Sequence, residues 1–163
     1  MNETLGQGAV IGVLATIGLD IWATVAKLVF RLPTANWALV GRWFGHMPRG
    51  TFVHPSIADA APVRNELAIG WIAHYCTGIV YGIAYLVIVQ HLIPVGPSFI
   101  SALVFGLVTL VAPWLIMQPG MGAGAFASRT PQPNLVRLTN LSMHGVFGAF
   151  LYLAWILIQQ SRF

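Results

Sequence analysis

The chain has 163 residues, of which 57% are hydrophobic and 7% charged, with eight Lys and Arg against four Asp and Glu. A soluble domain carries roughly 25% charged residues, so this composition excludes a water-facing globule and a separate soluble module, and points to a single membrane-embedded domain. Eight basic residues are too few for a nucleic-acid surface and read instead as orientation in a bilayer, the expected partner being lipid.

Crossing about 30 Å of hydrocarbon takes about 20 helical residues, and four apolar runs are long enough: 8–30, 68–92, 99–117 and 136–158. The expected fold is therefore an all-α, four-helix integral membrane bundle. The first run is preceded by Glu3 and by no Lys or Arg, and it outlasts a signal peptide's apolar core, so it is expected to remain as a span.

The connection 31–67 contains "NWALVGRWFGHM", in which Trp37, Val40, Trp43, Phe44 and Met47 share one helical face and Arg42 and His46 the other. That pattern predicts a short interfacial helix between spans one and two, its tryptophans in the headgroup layer. His46 and His54 are expected at the aqueous boundary, where an imidazole needs no special partner.

Span two reads "HYCTGIVYGIAY", which sets His74, Gly78, Tyr81, Gly82 and Tyr85 along one side. Span four reads "HGVFGAFLY", with His144, Gly148 and Tyr152 in the same order. Glycines four apart let helix backbones approach closely, so both faces are expected to point into the bundle or into a second copy of the chain, and self-association is a further expectation. Only "PVGP" (94–97) joins spans two and three, which predicts a tight antiparallel hairpin.

After span three comes "QPGMGAGAFASRTP". Its glycines superficially match a dinucleotide fingerprint, but that motif needs a preceding strand, and here a spanning helix precedes it. Pro119 and the glycines break the helix end, and the expected role of the connection 118–135 is close packing through Gly120, Gly124 and Ser128. The functional alternative is that freed amides and Arg129 form an anion-holding lip.

Arg31, Arg42, Arg49 and Arg64 lie in the first long connection, with Lys27 just before it; Arg129 lies in the second, followed by Arg137. The opposite side carries Arg162. The positive-inside tendency makes both long connections cytoplasmic and both termini external or periplasmic.

Ionisable residues at membrane depth are costly and mark function or buried pairing. Asp20, His74 and His144 qualify, and at about 1.5 Å per residue all three fall roughly 9–15 Å inside the cytoplasmic boundary. This Asp/His/His layer, with Gln118 and Arg129 at its mouth, is the predicted site for protons or a small polar solute. Three other roles share the same residues: a purely structural hydrogen-bonded network, haem ligation by His74 and His144, and a divalent-metal site made with Asp20. The chain would then be a redox subunit, or a structural accessory of a membrane complex. No CxxCH or HExxH spacing backs a cofactor, Cys76 is the sole cysteine, and no Ser or Cys nucleophile has an adjacent base, so an enzyme is not expected.

"GLDIWA", "GRWFGHMPRG", "QPGMGAGAFASRTP" and the span-four histidine together resemble a family of small bacterial inner-membrane proteins known as a domain of unknown function. The resemblance covers almost the whole chain. It implies four helices and a bacterial inner-membrane location, and carries no activity, cofactor or catalytic residue.

Overall fold

The computed structural model describes residues 1–93 and 95–160; Pro94 of the predicted hairpin turn and Arg162 lie outside them. Among the described residues the protein is all-helical, with four helices long and apolar enough to cross a membrane. They are α1 (Asn2–Phe30), α3 (Glu66–Leu92), α4 (Phe99–Gly120) and α5 (Pro133–Gln160), with the short α2 (Trp37–His46) between the first two. Each long helix meets or overruns its predicted span. The apolar pattern marks only what lipid can accept, whereas polar residues such as Asn2, Glu3, Thr4 and Gln7 continue the backbone hydrogen bonding beyond it.

Local chemistry places the ends. α1 stops where Arg31 turns left-handed (φ 54°) and its N–H bonds the Ala26 carbonyl. The Asn36 side chain accepts from the amides of Ala38 and Leu39 and starts α2. Ser98 and Ser101 cap α4 reciprocally, each side chain accepting from the other's amide. Pro113 has no N–H, and α4 widens there into a π turn over Pro113–Met117. α5 begins with Pro133, whose fixed φ suits a first helical position.

Glycines set the helix order. Gly8 and Gly12 of α1 lie against Gly78, Gly82 and Ile83 of α3, and Gly106 of α4 lies against His144 and Gly148 of α5. Gly18 brings α1 under the Phe150 ring of α5. The predicted tight hairpin of α3 and α4 is corrected here: these helices meet through side chains, with Tyr85 5.5 Å from Phe105 and its hydroxyl 3.0 Å from Ser101 Oγ. The glycine face of α3 is occupied by α1, so bulky aromatic rings hold α3 and α4 apart. Toward the termini the bundle is packed solid, with Ile11, Tyr85, Leu86 and Leu151 fully buried.

Both long connections lie at the opposite end, locked together. The His54 amide donates to Gly120 O at 2.8 Å and the Ile57 amide to Met121 O at 3.0 Å. At Gly122 (φ 91°) a Cβ would sit 2.6 Å from the Pro55 carbonyl carbon, so only glycine fits the turn. The amides of Met121, Gly122 and Ala123 donate to Met117, Pro119 and Gln118 carbonyls, which leaves none of the three for an anion. The glycine-rich stretch therefore serves as a dock for the 52–57 segment. His54 is buried in that dock, 5.0 Å from the His46 ring, and not at the aqueous boundary expected of it.

Arg42 ties the first connection down. Its Nε and Nη2 donate to both Glu66 carboxylate oxygens at 2.9 Å, and its Nη1 donates to the carbonyls of Ile57, Ala58 and Ala60. The hydrogen bond to Glu66 is the main cause of an Arg42 pKa above its usual value. Arg42→Ala should leave the long helices folded while limited trypsin digestion shifts to early cleavage at Arg49 and Arg64. Arg42→Lys should protect little better, since an ammonium cannot reproduce the planar fork. Equal digestion of all three proteins would remove Arg42 from this role.

Candidate functional site

A cavity of about 700 Å³ lies between the helices at the end where the connections pack. Its walls include Asp20 and Lys27 of α1, Trp37 of α2, His74 of α3, Met117 of α4 and His144 of α5. Every helix contributes, so the cavity exists only in the assembled bundle.

Asp20 is the centre of its polar wall. His74 Nε2 lies 2.9 Å from Asp20 Oδ1, and the Tyr75 hydroxyl donates to Asp20 Oδ2 at 2.9 Å. Both contacts cross from α3 to α1, just beyond the close approach of Gly12 and Gly78. The Trp37 indole lies over the His74 ring, centroids 4.0 Å apart at 31°, and Trp71 meets the same ring at 5.8 Å. α2 thus turns its tryptophans onto the bundle: Trp43 is 6% exposed and donates its indole N–H to Phe52 O at 2.8 Å.

His144 faces the same cavity but has a different partner. Its Nδ1 lies 2.8 Å from Thr109 Oγ1 on α4. Asp20, His74 and His144 therefore share a space without forming one bonded triad. Gln118 is buried and Arg129 exposed, and both stand outside the cavity lining. Among the described residues no three His, Cys, Asp or Glu side chains gather as a metal-holding group. Asp20 also occupies the Nε2 that His74 would present to an iron or a divalent ion.

Sequence reasoning passed over Tyr75, Trp37 and Thr109 as site members. Tyr75 follows His74 directly, and adjacent helical residues point about 100° apart, yet a phenol is long enough to swing back to the second carboxylate oxygen. Thr109 carried one usable signal: it lies four residues before Pro113, where the helix ladder is interrupted.

Four helices long enough for a bilayer, enclosing a largely apolar space that Asp20, Lys27, His74 and His144 enter, define the class as an all-helical protein of membrane-spanning type. Residues 9–158 match the family described as Protein of unknown function (DUF2938), and the chain belongs to that family. No functionally curated protein and no solved structure matches it.

Proposed function

We propose that this is a multi-pass membrane protein that holds a small solute bearing a polar group in the cavity, with Asp20 as its anchoring charge, His74 and His144 shaping the polar wall, and Tyr75 holding the Asp20 carboxylate. The observation that carries the reading is that ionisable side chains from three separate spans all open onto one 700 Å³ space. Ligand pockets commonly enclose about 300–1,000 Å³, mostly apolar with a few polar groups. The solid packing of Tyr85, Leu86 and Leu151 beyond the cavity favours a closed-ended binding pocket, or one face of an alternating-access carrier, over a continuous pore.

Orientation follows from charge. Every Lys and Arg except Arg162 lies near the end where the connections pack, which supports a cytoplasmic mouth and external termini. The bacterial inner membrane is the setting that the family resemblance implies.

A structural reading also has a specific observation behind it. Both Asp20 oxygens are bonded across the α1–α3 interface, and such a network fixes helix register without binding anything. A thermal-shift survey of cationic, anionic and zwitterionic small solutes on the detergent-purified protein separates the two. At 100 times its Kd a bound solute stabilises by about 2.7 kcal/mol, or about 5–10 °C in Tm for a chain of this size. The expected result is a solute that stabilises the wild type and leaves Asp20→Asn unmoved. If Asp20→Asn merely lowers Tm and no solute discriminates the two proteins, the network is structural.

A further inference from the structure

The surroundings of Asp20 narrow the class of solute, resting on the binding reading above. Among the described residues lining the cavity, Asp20 is the sole acid, and the wall beside it is aromatic: Trp37, Trp43, Phe44, Trp71 and Tyr81. Indole faces attract positive charge and repel negative charge, most strongly where water is excluded. An inorganic cation would need several oxygens close around it, whereas Asp20 already shares its two with His74 and Tyr75 and faces mostly carbon. An amine or quaternary nitrogen on an apolar body suits both the charge and the wall.

We propose that the cavity takes up an amphipathic organic cation, its charge set against the Asp20 carboxylate and its apolar body against the indoles. His74 Nε2 and the Tyr75 hydroxyl hold the two carboxylate oxygens in place, and Trp37 covers the His74 ring. An arriving cation supplies the carboxylate with a counter-charge in a poorly solvated space.

The other groups facing Asp20 and His74 are few. Tyr75 keeps its hydroxyl on Oδ2, and His144 across the cavity is bonded to Thr109. Glu66, two turns before His74 on α3, is paired with Arg42. Lys27 lines the cavity two turns beyond Asp20 on α1 and is exposed there, so it opposes a cation at the mouth. Its removal gives a test of sign.

Tetraphenylphosphonium and tetraphenylborate have nearly the same shape and opposite charge. Titrating each into the detergent-purified full chain, with detergent alone as blank, reads binding from the cavity tryptophans by fluorescence. Saturable quenching by the phosphonium and none by the borate is the expected result. Asp20→Asn should abolish binding and Asp20→Glu retain it. Lys27→Gln should bind more tightly. Size-exclusion elution and melting temperature verify that each variant is folded. Borate binding as strong as phosphonium binding, or phosphonium binding unaffected by Asp20→Asn, would overturn the cation assignment. If neither probe binds while the solute survey yields an Asp20-dependent stabiliser, the cation class falls and the pocket stands; if the survey is blank too, both fall.

Discussion

Gly82→Ala is expected to cost about 3 kcal/mol or to prevent folding, while Gly6→Ala on the neighbouring α1 is expected to be neutral or slightly stabilising. A Cβ at Gly82 would collide with the Gly8 carbonyl oxygen and lie 2.6 Å from Gly12 Cα, and all of these obstacles are backbone. Nothing there can rotate aside, so α1 and α3 would have to separate along their contact, at the upper end of the usual overpacking cost of about 1–3 kcal/mol. A Cβ at Gly6 meets nothing within 4 Å, and replacing glycine in a helix recovers about 0.5–1 kcal/mol of backbone entropy. Gly78→Ala should fall between the two, because its nearest obstacle is the Thr16 hydroxyl, a side-chain atom, with the Gly12 carbonyl at 3.3 Å. Adding Thr16→Ala should recover part of that loss. Melting temperatures of the five proteins in one detergent decide it; equal values for Gly6→Ala and Gly82→Ala would mean that α1 and α3 do not pack as described.

Gly41→Ala and Gly70→Ala are expected to lift α2 from α3 without dissolving the four long helices. Each Cβ would strike the other helix's backbone: Gly41 would meet the Glu66 carbonyl oxygen and Gly70 N at 2.6 Å, and Gly70 would meet the Trp37 carbonyl oxygen. Lifting α2 removes Trp37 from the His74 ring and from Trp71, 5.4 Å away. The near-ultraviolet circular dichroism of that tryptophan pair should collapse while helical content barely changes. Any solute found to bind in an Asp20-dependent way should bind weakly or not at all. Gly45→Ala, where the atoms nearest a Cβ all belong to the Val63 side chain, should be much milder. An unchanged tryptophan signal in Gly70→Ala would show that α2 can ride over the added methyl.

The polar residues of the cavity were only partly legible beforehand. Rise per residue fixes depth, and counting along the helices places Asp20, His74 and His144 near one level. Depth says nothing about rotation. Asp20 and His74 meet because Gly12 and Gly78 bring α1 and α3 together just below them, while His144 turns Nδ1 toward Thr109 on the other side of the cavity. Amphipathicity is the same for a helix lying on lipid and one lying on protein, so the pattern of α2 did not reveal that its tryptophans also pack on the bundle. What distinguishes the cases is Gly41 over Gly70, two small residues that only matter as a pair.

Composition and apolar run length by themselves determined that this chain is all-helical with four helices suited to a bilayer, because every backbone polar group in hydrocarbon must be satisfied within its own helix. They also determined which residues would be buried at a cost. Tertiary structure alone decided which helices touch, that short chain separation does not bring α3 and α4 into backbone contact, and which side chain answers Asp20. The reason is that a glycine face fits many partners equally well, and the choice among them falls to the complementarity of whole helix surfaces, with ridges of aromatic rings excluded from one side and admitted on another.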